Sequence, residues 1–129
     1  MYQGKIFLPD SPEYYTDRHE RVRSKSELII ANMLNRMEIP YKYEAPLQIG
    51  SNLTVYPDFT ILNVSLRKEL IWEHFGMMDD ADYCQNVLLK INTYREHNYF
   101  EGDNLITSFE SLTQPIRTKQ IEEMIKHYI

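Results

Sequence analysis

A chain of 129 residues and 15.5 kDa is long enough to enclose one hydrophobic core and too short for two. With 43% hydrophobic and 26% charged residues, and only four glycines and six prolines, its composition is that of a folded globular domain and excludes a low-complexity chain. The formal net charge of −5 argues against a free-standing nucleic-acid binder driven by charge alone, unless the negative charge is gathered at a cation site or other parts of a larger protein grip the polynucleotide. No apolar stretch approaches the length of a bilayer and no basic-then-apolar leader opens the chain, so a soluble cytoplasmic protein without membrane contact is expected. The lone Cys84 cannot form an intramolecular disulfide and reads as a core thiol.

The first twenty residues read as an extended arm ahead of a single domain over 21–129, because Pro9 and Pro12 break any helix while Tyr2, Phe7, Tyr14 and Tyr15 are available to cover the domain. Ser24 or Ser26 can open a helix that runs to about Met37 and stops before Pro40. Ile30, Ala31, Leu34 and Met37 repeat at helical spacing and define its buried face, on which Glu27 also falls. Three strands follow, Tyr41 to Ile49, Leu53 to Leu62 and Glu69 to Phe75, rich in β-branched and aromatic residues and separated by turn-formers; antiparallel pairing is expected. Asp79, Asp80 and Asp82 introduce a second helix from about Ala81 to His97, where acids at the amino end suit the helix dipole and need no metal to explain them. A fourth strand, Asn104 to Phe109, and a closing amphipathic helix, Ile116 to Tyr128, complete the order α, β, β, β, α, β, α. The fold class is mixed α/β (α+β), a mixed sheet flanked by helices.

Two acids interrupt this apolar pattern. Tyr56-Pro57-Asp58-Phe59-Thr60 places a carboxylate inside the second strand, beside a proline that bends it. Leu70-Ile71-Trp72-Glu73-His74-Phe75-Gly76 does the same in the third, with Glu73 on the face of Ile71 and Phe75. Two ionised carboxylates side by side in a low-dielectric setting repel each other and call for a cation, and an all-oxygen ligand set favours Mg²⁺ or Mn²⁺ over zinc. Helical phase adds two more residues. Tyr83, Val87, Lys90, Ile91 and Tyr94 form the inward stripe of the second helix, so Lys90 stands where a leucine is expected and requires an anion; Glu27 interrupts the first helix in the same way.

These residues, in this order, resemble the PD-(D/E)XK nuclease superfamily, the restriction-endonuclease-like fold, over roughly Arg23 to Phe109. Pro57-Asp58 matches the first half-motif, Glu73 the acid of the second, and Glu27 the acid of the first helix. The lysine usual two residues after the strand acid is replaced here by Phe75, and Lys90 on the following helix is its counterpart, as in some members. The resemblance implies a core of order αβββαβ and hydrolysis of DNA phosphodiesters, with Mg²⁺ or Mn²⁺ on Asp58, Glu73 and Glu27. In that chemistry the metal activates a water and offsets developing charge, while Lys90 orients the attacking water. An inactive nuclease-like fold serving DNA binding or assembly is the alternative, and a plain buried ion network of the same four residues is a third.

His74 adjoins Glu73 but projects to the opposite face of a regular strand, beside Trp72, which makes it an accessory candidate only. Gly76 reads equally well as a turn glycine or a point of close backbone approach. Tyr83 and Tyr94 read as core residues of the stripe. Arg18, Arg21, Arg23 and Lys25 cluster before the first helix, and Arg67 with Lys68 precedes the third strand; if they flank the mouth of the site, Arg21, Arg23, Lys25, Arg67 and Lys68 are the phosphate contacts, and otherwise they are solvated surface.

Overall fold

A computed structural model describes residues 6–129. Tyr2, expected to cover the domain, lies outside them. Within the described part of the arm, β1 (Tyr14–Tyr15) pairs with β2 (Arg21–Val22) as an antiparallel ribbon, so the expected boundary at residue 20 cuts through one unit. The Thr16 hydroxyl closes its turn by accepting the main-chain N–H groups of Arg18 and Glu20. Val22 is fully buried, and Phe7 and Tyr14 lie against the same core, while Tyr15 is half exposed.

Helix α1 (Lys25–Arg36) starts where Ser24, in extended conformation, accepts the Glu27 N–H at 3.1 Å. Satisfying one of the orphan donors of the first turn fixes the start. Its buried face holds Glu27, Ile30, Ala31 and Leu34, as the periodicity indicates, with Met33 added; Met37, expected on that face, is the residue that closes the helix and is only partly buried.

Both of the first two expected strands are broken in the middle. Tyr41 to Ile49 divides into β3 (Tyr41–Tyr43) and β4 (Leu47–Gly50), because Glu44 turns the chain through a left-handed φ of 48° and Pro46 has no N–H for a ladder. Leu53 to Leu62 divides into β5 (Leu53–Val55) and β6 (Phe59–Asn63) around Pro57. β4 and β5 form their own hairpin, leaving β3 and β6 in the main sheet.

That sheet has the order β3-β6-β7-β8, with β7 spanning Lys68–Phe75 and β8 Leu105–Phe109. β3, β6 and β7 are antiparallel neighbours; β8 lies parallel to β7, reached by a crossover through α2 (Ala81–Glu96). Asp80 caps α2 by accepting the Tyr83 N–H, and Asp79 accepts the Leu112 N–H, so the acidic run serves the helix start and a loop. The third helix, α3 (Thr118–Tyr128), begins two residues later than expected. The fold of the described residues is therefore mixed α/β, a mixed sheet with three helices.

The two faces of β7 divide the core. Leu70 and Trp72 join Phe59, Ile61 and Ile106 beneath α1 and α3, where Ile30, Leu34, Ile121 and Ile125 complete the main cluster. Ile71 and Phe75 face the other way, toward α2 and the β4–β5 hairpin. Each such aliphatic side chain contributes about 1.5–3 kcal/mol on burial. Every residue from Leu70 to Phe75 is buried, as suits a strand between two layers. No helix among the described residues is long and apolar enough to cross a membrane.

Candidate functional site

The bend at Pro57 and the end of β7 bring the strand acids to the mouth of one cavity of about 600 Å³. Glu27, Asp58, Glu73 and Lys90 all line it. Glu73 is 1% exposed, an ionisable group in the sheet interior, and its carboxylate is heavily engaged. Oε2 receives Lys90 Nζ at 2.8 Å and the Tyr94 hydroxyl at 2.6 Å, and Oε1 accepts the Asp58 N–H at 3.3 Å. Lys90 thus meets the anion that its place in the α2 stripe demands. Burial works to lower its pKa, but the Glu73 carboxylate in contact with it and the Asp58 charge outweigh that and hold it above its ordinary value. The Tyr94 hydroxyl is likewise pushed up, by burial and by Glu73, and stays a donor.

Asp58 is the contrasting case. Its Oδ2 accepts the His74 N–H at 2.8 Å, a main-chain bond across the β6–β7 junction, and among the described residues no side chain donates to it. Burial, then the charges of Glu73 and Glu27, push its pKa well above the usual carboxylate range; the His74 N–H and Lys90 offset this only in part. Glu27, 8% exposed, turns Oε1 to the Tyr43 hydroxyl at 2.5 Å and the Arg23 N–H at 3.1 Å. Glu27 therefore doubles as a brace between the start of α1 and the end of β3. Among the described residues no group of three or more His, Cys, Asp or Glu side chains is arranged to hold a metal ion. The expected set of Glu27, Asp58 and Glu73 is not a ready cage, because the donors around Glu27 and Glu73 occupy oxygens that a cation would need. The donor set still suits a hard cation at Asp58, whose charge is the one left without a side-chain partner.

His74 projects to the face opposite Glu73, as strand alternation requires. Its Nδ1 lies 2.7 Å from Ser108 Oγ, which also accepts from Trp72 Nε1 at 2.9 Å, and its Nε2 lies 2.6 Å from Glu110 Oε1. Ser26 donates to the same Glu110 oxygen. Partial burial works to raise the Glu110 pKa, but the Ser26 and His74 hydrogen bonds and the imidazole beside it hold it below the ordinary range. Phe75, at the position of the usual motif lysine, is buried and stacked on Phe109 at 5.5 Å between ring centres. Gly76 donates its N–H to the Tyr83 hydroxyl at 3.0 Å, which ties the end of β7 to α2; Tyr83 is thus both part of the core stripe and part of the cavity wall.

Of the five proposed phosphate contacts only Arg23 lines the cavity. Arg21 instead donates to the Ser11 carbonyl and lies over the Phe7 ring, and Lys25 is exposed at the start of α1 and does not line the cavity. Arg67 and Lys68 fail the condition for a role. They sit at the opposite end of β7 from Glu73, roughly 17 Å away for five residues of strand, and Lys68 pairs with Asp103. Sequence reasoning missed Glu44 and Glu110. Glu44, 3% exposed, holds Arg23 Nε at 2.6 Å, and both acids line the cavity. The one signal for Glu44 was a charge enclosed in Tyr43-Glu44-Ala45-Pro46; Glu110 follows the last strand with no periodicity to mark it.

Comparison with known proteins gives one relative, an uncharacterized protein of Methanocaldococcus jannaschii, MJ1519, 35% identical over 92 residues. The aligned region is 71% of this chain and 8% of the relative, so the chain spans less than a tenth of that protein's length. No family model and no solved structure matches.

Proposed function

We propose that the cavity is the centre of a metal-dependent phosphodiesterase acting on DNA. The observation that carries this is the Glu73 carboxylate, enclosed by the sheet, charge-paired with Lys90 and joined through main-chain bonds to an Asp58 that lacks a side-chain partner, all opening on one cavity. The element order supports it: an antiparallel β3-β6-β7 unit with β8 parallel beside β7, preceded by α1 and connected by α2, suits the restriction-endonuclease-like core that the motif suggests. Asp58 and Glu73 Oε1, which among the described residues takes only the long Asp58 N–H contact, would hold Mg²⁺ or Mn²⁺, with Glu27 contributing charge from α1. Such an ion supplies Lewis acidity and offsets the charge of in-line displacement.

The residues of the chain do the rest. Lys90, fixed by Glu73, orients a water toward the phosphorus and stabilises negative charge in the transition state. Tyr94 keeps Glu73 in place from beneath. The net charge of −5 makes the cavity a poor grip on DNA by itself, and other domains or subunits would supply affinity, in keeping with the small share of the longer relative that this chain represents.

Incubation with single-stranded, nicked and duplex DNA in Mg²⁺ or Mn²⁺, comparing the chain with Asp58→Ala and Glu73→Ala, tests the activity. Cleavage lost in both variants supports it; cleavage unchanged in both, or absent from the unaltered protein on every substrate, sinks it. The buried Phe75 favours one rival, a nuclease-like fold retained for binding, which predicts DNA binding without cleavage. Titration calorimetry with Mn²⁺ separates the remaining case, a mere ion network, which takes up no metal at Asp58.

A further inference from the structure

We propose that Arg23 is the residue that receives a phosphate group of the polynucleotide in this cavity, and that the buried Glu44 is its positioning residue. This rests on the phosphodiesterase reading and names the side of the cavity on which the substrate anion lies. Glu44 is buried in the cavity wall, itself the residue in the left-handed conformation, and its N–H is tied to the Asp58 carbonyl at 3.1 Å. Its carboxylate takes Arg23 Nε at 2.6 Å, the donor farthest from the tip of the guanidinium fork. Nη2 donates to the Ile6 carbonyl at 3.3 Å, and the guanidinium carbon lies 4.2 Å from the Phe7 ring centre. Nη1 has no partner among the described residues, and Arg23 lines the same cavity as Asp58 and Glu73.

The fork is therefore held at its base and side while its Nη1 end stays open among the described residues, the arrangement that suits a phosphate oxygen. Fixing a long side chain before the ligand arrives removes much of the entropy cost of ordering it on binding. The Glu44 main-chain link to Asp58 places this anchor and the cation-seeking carboxylate on one rigid junction. An anion bridging a cation on Asp58 and the Arg23 fork would thus meet both poles of the cavity at once.

Fluorescence anisotropy of a labelled single-stranded 12-mer DNA in Ca²⁺, across a salt series, tests this on the intact chain. Arg23→Met should weaken binding about tenfold, the size of one charge-assisted contact, and lower the salt slope by about 0.7. Arg23→Lys should recover the slope and not the affinity. Glu44→Gln gives the decisive sign: removing a negative charge from the cavity tightens binding if charge alone matters, whereas loss of the anchor weakens it, by about threefold. Phe7→Ala, which leaves every charge in place, should weaken binding in the same direction. Unchanged binding in Arg23→Met, or tighter binding in Glu44→Gln, overturns the proposal. If the protein cleaves DNA and Arg23→Met binds normally, the phosphate role alone fails. Should Arg23-dependent binding appear without cleavage, the enzymatic reading alone fails, and an unaltered protein that neither binds nor cleaves DNA even at low salt removes both.

Discussion

Lys90→Met separates the energetic role of the lysine from its chemical one. At an Nζ–Oε2 distance of 2.8 Å the gross attraction is about 6 kcal/mol at an effective dielectric constant of about 20. Most of it offsets desolvation. Removing one partner of a fully buried pair costs about 3–5 kcal/mol, while an exposed pair contributes about 0.2–1 kcal/mol. The Glu73 side chain is 1% exposed and that of Lys90 37%, so the pair falls between these limits, near 2 kcal/mol. With an unfolding entropy of about 2.1 cal/mol/K per residue over 129 residues, that loss lowers Tm by about 7 °C. Differential scanning fluorimetry without metal reads it directly. Repeating the scan in Mn²⁺ sharpens the result: Glu73 without its lysine is a better cation ligand, so the variant should gain more degrees from Mn²⁺ than the unaltered protein, the gain at one hundred times Kd being about 2.7 kcal/mol. A metal-free Tm within 2 °C of the parent refutes the pairing energy, and a smaller Mn²⁺ gain in the variant refutes Glu73 as a ligand. Cleavage that survives in Lys90→Met refutes the chemical role.

Asp58→Asn should make the metal-free protein more stable near pH 8, by about 1 kcal/mol, with urea melts as the measure. The sign follows from a folded pKa raised above the unfolded one: the stability linked to protonated Asp58 is fully present below the ordinary aspartate range and is lost as pH rises through the folded value, so the advantage of the variant disappears on acidification. For the same reason Mn²⁺ competes with a proton at Asp58, and its affinity by calorimetry should climb with pH; a flat profile removes Asp58 from the ligand set. Tyr94→Phe, which deletes a 2.6 Å donor to buried Glu73, should cost about 2 kcal/mol in denaturant melts while Mn²⁺ binding persists. Arg67→Ala and Lys68→Ala should leave the salt dependence of DNA binding unchanged, and a fall in slope would relocate the substrate path.

The parts of the site that periodicity governs were legible. Glu27 and Lys90 stand out because a charge on a buried helical stripe demands a partner, and Lys90 finds Glu73 where the phase directs it. Glu73 and His74 fall on opposite sides of β7 for the same geometric reason. The β4–β5 hairpin was hidden, since Tyr41 to Ile49 is rich in strand-forming residues, and Pro46 marks an interruption without showing that the left-handed turn at Glu44 sends the chain into a second sheet. Pro57 announced a bend, yet a bend within a strand and a change of sheet leave the same residues in the sequence. The β1–β2 ribbon of two-residue strands carries too few alternations to register. Glu110 lies just past the end of β8, where no repeat constrains a side chain, and its value to the site comes from Ser26 and His74, remote in sequence.

The double-sided burial of β7 sets a rule for how the chain can change length. Deleting or inserting one residue within Leu70 to Phe75 would exchange the faces of Glu73 and His74, sending the acid into the apolar layer under α1 and the imidazole toward Lys90. Neighbours on both edges, β6 and β8, would have to slip with it. Insertions can therefore be absorbed in the exposed turn at Val64–Arg67 or in the connection between α2 and β8, while the strand between them keeps a fixed residue count. Among diverged copies of this domain, alignment gaps should stop at the edges of β7 even where its apolar residues have been replaced.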